Sequence, residues 1–246
     1  MIRAILFDLG GTLMYPRDAW DPILTRGYQA LADSLCAEGL PLDCGELPKT
    51  VRYHLDRYFA RREKDLDETT YIEVLRRLLL EHGHPKVDVR ILRQAMDAFY
   101  AHTQPNWLLE EDALLTLQTL EAAGYCLGLV SNAGDNLDVL QLVDRFGIGP
   151  FFDFILTSAF CSYRKPHPRI FEMAMSYWDF PPEEIAMVGD SLEADISGAQ
   201  KLGIFSIWIT RRVSSPPANR NIQPDAEIRT LHELPVLLRY LSNNSV

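Results

Sequence analysis

Apolar residues fall along the chain in two rhythms. Short continuous runs occur at 2–7, 125–130, 154–156, 185–188 and 204–209, with the length and character of strands buried on both faces. Between the later runs lie helical patterns at Leu114, Leu117 and Leu120, then Leu137, Leu140 and Phe146. A further segment opens at Pro168, in the first-turn position that proline favours. Strands alternating with helices predict a parallel sheet wrapped on both faces. Residues 226–228 are expected as an edge strand and 231–241 as a closing helix.

From about residue 16 to residue 104 the rhythm changes to a helical one without convincing strands. Apolar positions recur as Trp20, Leu24, Tyr28, Leu31 and Leu35, then Val51, Leu55 and Phe59. Tyr71, Val74, Leu75 and Leu78 come next, and then Ile91, Ala95 and Phe99. Gly39 with Pro41, Asp67 and the turn at 83–85 separate these patterns. The organisation expected is an α/β core of residues 1–15 and 105–246, with a helical insertion of residues 16–104 covering one end of the sheet. The polar stretch 214–224 reads as a surface loop.

Composition narrows the classes. Hydrophobic residues are 47% and charged residues 24% of the 246, the usual globular mix and far from that of disordered chains. With 24 Lys plus Arg against 34 Asp plus Glu the net charge is −10, so no overall basic field collects nucleic acid or anionic lipid. Asp8 interrupts the first apolar run before a signal-peptide core is complete, and no run approaches the roughly 18 apolar residues of a membrane span. Cys36, Cys44, Cys126 and Cys161 form no CxxC pair or zinc-type spacing and are expected as free thiols in a reducing compartment. A cytoplasmic protein, monomeric or homodimeric, is the expectation.

In an open parallel sheet, ligands bind at the carboxyl ends of the strands, so the residues just after each run matter most. After the first come Asp8 and the segment FDLGGTL, suited to a nucleophile or metal ligand beside exposed amides, or to a strand-ending turn cap. After the second come Ser131 and Asn132 in LVSNA, able to hold an anion or to cap the next helix. After the fourth comes GDSLEAD, whose Asp190 and Asp195 suit a hard cation or helix capping. Lys165, in RKPHPRIF, can offset phosphoryl charge as a point donor or lie in solvent.

These segments in this order, with a helical insertion between the first two, resemble the four motifs of the haloacid dehalogenase-like (HAD) hydrolase superfamily, in its subfamily with a helical cap. The resemblance covers nearly the whole chain. It implies a Rossmann-like core in which Asp8 forms an aspartyl-phosphate and binds Mg²⁺ with the Gly10 carbonyl and Asp190. Gly11, Thr12, Ser131, Asn132 and Lys165 would bind the transferred phosphoryl group, and Asp195 would be a supporting acid. The expected substrate is a small phosphorylated metabolite, bound by positioning and charge neutralisation.

One position departs from the pattern. The family's phosphatases carry a second Asp two residues after the nucleophile as acid/base, and here that residue is Gly10. Such a group contributes about 10²- to 10⁴-fold in rate, or roughly 3–5 kcal/mol. Three readings stay open: a phosphatase that draws its proton elsewhere, a dehalogenase or phosphonatase-type relative that needs no such acid, and a non-enzymatic binder of phosphorylated ligands or protein partners. The cap is expected to choose the substrate, with Tyr15, Arg17, Trp20, Arg57 and Arg61 as candidates to face the site. Lys49 would be the imine-forming lysine of a phosphonatase, or a surface residue.

Overall fold

The structure, a computed structural model, describes residues 1–213 and 221–244; most of the expected surface loop at 214–224 lies outside them. The chain divides into two compact units, Met1–Tyr15 with Leu109–Val246, and Pro16–Leu108. Among the described residues the strands are β1 (Ala4–Phe7), β2 (Met14–Pro16), β3 (Trp107–Leu109), β4 (Cys126–Ser131), β5 (Phe154–Thr157), β6 (Ile185–Gly189), β7 (Phe205–Ile209) and β8 (Ala226–Ile228).

Six of them form one sheet in the order β5-β4-β1-β6-β7-β8, parallel throughout. β1 and β6 are buried along their whole length, which explains why they read as continuous apolar runs and not as alternating ones. β1 pairs with β4 and β6 so that Phe7 lies opposite Leu129 and Val188. Asp8, one residue on, is therefore level with Val130 and Gly189, and its N–H donates to the Val188 carbonyl at 2.9 Å. β2 and β3 pair as a separate two-stranded ribbon where the chain leaves the first unit and returns to it.

The second unit is helical: α1 (Trp20–Ala37), α2 (Leu47–Asp65), α3 (Tyr71–Glu81) and α4 (Val89–Thr103). Thr70 and Asp88 cap α3 and α4 by accepting from Glu73 N–H and Arg90 N–H. The helices share a core that includes Tyr28, Leu31, Leu35, Val51, Leu55, Leu75, Leu78, Leu92, Met96 and Phe99. A Cβ on Gly27 would stand 2.8 Å from the Phe99 ring, so α1 and α4 approach at a glycine. Here the expectation of four free thiols is corrected, because Cys36 and Cys44 are disulfide-bonded. The chain turns at Gly39 after α1 and returns the second cysteine to the first over eight residues, a reversal that spacing rules for metal and redox motifs do not detect. Cys126 and Cys161 are free.

In the first unit, α5 (Ala113–Ala122) and α6 (Asn136–Arg145) occur where periodicity places them, but turned differently. Leu114, Leu137 and Leu140 are exposed, while Ala113, Thr116, Leu117 and Leu120 of α5 and Val139, Leu142 and Val143 of α6 face inward. Apolar residues at 137, 139, 140, 142 and 143 cover two overlapping stripes of α6, and periodicity alone does not choose between them. α7 (Ser158–Cys161), α8 (Pro168–Met175), α9 (Ser197–Gln200) and α10 (Leu234–Asn243) complete the unit.

Both chain crossings are tied down from within the first unit. Glu110, two per cent exposed, accepts from Arg212 Nε at 2.5 Å and Nη2 at 2.9 Å, and Arg211 Nη1 lies 3.3 Å from the same carboxylate. The Arg212 guanidinium also lies 3.5 Å from the centre of the Tyr15 ring. One side chain thus grips the last residue before the insertion and the second residue after it. Replacing it, as Arg212→Met, leaves a buried carboxylate with only the longer Arg211 contact. We expect a loss of about 2–3 kcal/mol, measured as a lower urea midpoint by tryptophan fluorescence.

Candidate active site

The chain runs from β1 to β4 and β5 on one side and then to β6 on the other. The ends of β1, β4 and β6 therefore meet at the point where strand order reverses, the position at which open α/β sheets bind ligands. Asp8 comes directly after β1, Ser131 ends β4 and Asp190 comes directly after β6.

Lys165 enters this place from the segment between α7 and α8 and is almost wholly buried. Its Nζ donates to Asp8 Oδ1 and to the Val130 carbonyl, each at 2.7 Å, and lies 2.7 Å from Asp195 Oδ1. Two hydrogen bonds and one further ion-pair contact surround the ammonium, and Asp195 Oδ1 accepts no hydrogen bond among the described residues. Asn132 fixes the lysine's backbone in both directions, donating from Nδ2 to the Lys165 carbonyl at 2.9 Å and accepting Lys165 N–H at Oδ1 at 2.8 Å. Asn132 thus positions the lysine, with its side-chain carbonyl and one Nδ2 hydrogen committed to the Lys165 backbone.

The fourth segment is shaped around its carboxylates. Residues Leu192–Ile196 form a single π-helical turn, in which Ile196 N–H reaches back to the Ser191 carbonyl at 3.2 Å; such turns often occur at functional sites. The turn brings Asp195 under the end of β6, where Oδ2 accepts Ser191 N–H at 3.0 Å. A Cβ on Gly189 would lie 2.3 Å from the Asp195 carboxyl carbon, so only glycine fits there. Gly11, at φ +93°, is held likewise, since a Cβ would stand 2.2 Å from Asp190 Oδ2. Trp208 Nε1 donates to the Asp190 carbonyl at 2.9 Å and steadies that strand end.

Asp8, Asp190 and Asp195 each offer a carboxylate oxygen within 4.8 Å of the others. One lysine faces three carboxylates, which leaves an uncompensated negative surplus in a largely buried place. Burial is the largest influence raising Asp190, to about 7, with Asp8 and Asp195 adding repulsion and Lys165 opposing. Burial likewise raises Asp195, to about 6, against the pull of Lys165. Burial would lower the Lys165 ammonium, but Asp195 and Asp8 outweigh it and hold the group above its ordinary value. A hard divalent cation fits this donor set: Asp8 Oδ2 is buried without a partner, and Asp190 and Asp8 repel each other until something positive lies between them. The buried Thr12 hydroxyl also lacks a partner, and Ser131 has no hydrogen-bonded side chain among the described residues, so both hydroxyls are free to meet an anion.

The remaining candidates have contacts of their own. Tyr15 is covered by Arg212, Arg17 is paired with Asp18 at 2.9 Å, and Trp20 packs edge-on against Trp107. Arg57 and Arg61 line a cavity in the helical unit. Lys49 is exposed and paired with Glu46 at 2.8 Å, a contact that raises its ammonium. An imine-forming lysine needs the opposite, a desolvated and lowered amine, so the phosphonatase reading loses its lysine. Sequence reasoning missed Val130, Ser191, Gly189 and Trp208. Val130 and Ser191 act through backbone atoms that carry no side-chain signal, whereas the glycine before Asp190 was visible as a small residue at a strand end.

A family model described as haloacid dehalogenase-like hydrolase matches residues 2–203. The chain is 27% identical over 84% of its length to the glyceraldehyde 3-phosphate phosphatase of Pyrococcus furiosus, covering 80% of that protein. To the ribulose-1,5-bisphosphate 5-phosphatase of Halopiger xanaduensis it is 28% identical, over 95% of this chain and 98% of the other. Among solved structures, the 2-haloacid dehalogenase from Pseudomonas syringae superposes with a TM-score of 0.70 at 26% identity, over 98% of this chain and 100% of that one.

The carboxylate cluster sets two outcomes. Both raised acids hold their protons more tightly folded than unfolded, so their contribution to stability is full below about pH 4 and is lost as pH rises towards about 7. In EDTA, thermal midpoints should fall between pH 5 and pH 8, and Asp190→Asn should flatten that fall; an equal slope in the variant would refute the assignment. Gly11→Ala should displace Asp190 and strain the loop, lowering both stability and metal affinity in calorimetric titrations.

Proposed function

Since the chain belongs to the haloacid dehalogenase-like hydrolase family, we propose that it is a magnesium-dependent phosphatase of a small phosphorylated metabolite. The observation that carries this reading is the buried surplus of carboxylate around Asp8, Asp190 and Lys165. It has no use in a pocket for a neutral or singly charged ligand, and it becomes favourable once a divalent cation and a phosphoryl dianion enter together. The similarity to phosphatases of two sugar phosphates and the family's general use of this ion support the same choice. Asp8, Asp190 and the Gly10 carbonyl are the residues proposed to hold Mg²⁺, which when bound would withdraw charge from the phosphoryl oxygens.

The chain's own residues account for the rest. Asp8 has two carboxylate oxygens, one beside Lys165 Nζ and one without a described protein partner; with the cation held on one of them, the other attacks phosphorus. The bond from phosphorus to the ester oxygen breaks as the bond to that carboxylate oxygen forms, giving an aspartyl-phosphate; water then attacks the phosphorus and releases phosphate and Asp8. Thr12 and Ser131 hydroxyls donate to the phosphoryl oxygens, and Lys165 lies beside them as a fixed positive charge. Gly10 supplies no proton, so the departing oxygen takes its proton from water. A cytoplasmic setting goes with substrates of this kind, and a reducing one would open Cys36–Cys44.

A second reading, hydrolysis of 2-haloacids, is favoured by Gly10 and by the likeness to a 2-haloacid dehalogenase structure. Halide needs no proton to leave, but that chemistry gives Asp190 no task. Metal-free halide release from 2-chloropropionate would select it.

Turnover of a phosphate-ester panel should require Mg²⁺, and Asp8→Asn should lower it by about 10³-fold or more; unchanged activity in the variant would remove Asp8 as nucleophile. The absent acid makes a further outcome specific to this chain. Rates in the wild type should depend steeply on leaving-group pKa, aryl phosphates far outpacing alkyl ones. Gly10→Asp should raise the alkyl rates by about 10²-fold and flatten that dependence.

A further inference from the structure

We propose that the helical unit carries a second anion site, a cavity lined by α2 and α3 that binds a small phosphorylated ligand. The inference goes beyond the hydrolytic reading and does not rest on it. The cavity measures about 390 Å³ and is lined by His54, Arg57, Tyr58, Arg61, Arg77 and Glu81, and Val74 completes the lining. This volume lies within the range of small-ligand pockets. Its charge runs against that of the chain: three arginines face one glutamate on a protein of net charge −10.

The arginines hold unspent donors. Arg57 makes no ion pair with a described residue and only rests over the Tyr53 ring at 5.6 Å. Arg61 reaches Asp65 no closer than 3.8 Å. Arg77 spends its Nε on Glu73 at 3.1 Å and leaves both terminal nitrogens without a described partner. Glu81, the cavity's carboxylate, stands 3.7 Å from His54. Other arginines of the same unit are differently placed: Arg52, Arg62 and Arg90 each donate to a carboxylate at 3.2 Å or less. Three arginines line one cavity with donors left over, and the forked geometry of arginine matches the oxygens of a phosphoryl group.

The test titrates inorganic phosphate into the full chain in EDTA at constant ionic strength, observing arginine Nε–H resonances by ¹⁵N-edited NMR. Saturable shifts are expected at Arg57, Arg61 and Arg77 and not at exposed Arg26 of α1. They should persist in Ser131→Ala, whose phosphate affinity at the strand ends is reduced, and so separate this site from the hydrolytic one. Arg57→Gln with Arg77→Gln, both on exposed surface, should weaken binding about tenfold or more without altering the melting midpoint. Shifts no larger than those of Arg26, or binding unchanged in the double variant, would overturn the site. A parallel titration with succinate distinguishes the ligand class, since equal affinity for the dicarboxylate would overturn the phosphoryl assignment.

Discussion

Lys165 brings one positive charge into a buried place bounded by three carboxylates, and the structure around the strand ends is organised by what that charge requires. Taking an ammonium out of water costs several kcal/mol unless every hydrogen finds an acceptor. Asp8 and the Val130 carbonyl accept two of them, and Asp195 stands within ion-pair distance at 2.7 Å. Each provider is fixed in turn by something remote: Asp8 by the register of β1 between β4 and β6, Asp195 by the π-helical turn and the bare Cα of Gly189, and the lysine's own backbone by Asn132. Parallel pairing, a glycine and an amide thus serve a single ion cluster. The cluster is incomplete by itself, because its acids outnumber its base, and that imbalance connects the fold to a cation and a dianionic substrate.

Much of this was legible along the chain. Strands buried on both faces leave continuous apolar runs, and the residues just beyond such runs lie at the ligand-binding end of a parallel sheet, so Asp8, Ser131 and Asp190 could be chosen before any coordinates. The four helices of Pro16–Leu108 were legible for a different reason, since each presents one apolar stripe to a shared core. Leu137 and Leu140 misled because α6 carries two apolar stripes and tertiary packing selected the other. Cys36 and Cys44 misled because a disulfide depends on where a turn sends the chain, which spacing does not encode. Asn132 was found at the right strand end, but its hold on Lys165 was not legible, because that partner is a backbone 33 residues away.

Charge, read as a total, describes this protein poorly. The net −10 gives the chain no overall basic field, yet its functional content is local and of both signs. At the strand ends, negative groups are concentrated by burial, where a low dielectric strengthens their attraction for a cation. On the helical unit, arginines gather at the surface around a cavity, where water weakens each of them and only a ligand touching several at once gains much. The strand-end cluster can therefore bind its cation through a few strong contacts, whereas the helical cavity must rely on several weak ones acting together. Loss of a single partner should be severe at the first and graded at the second, and that difference comes from burial alone.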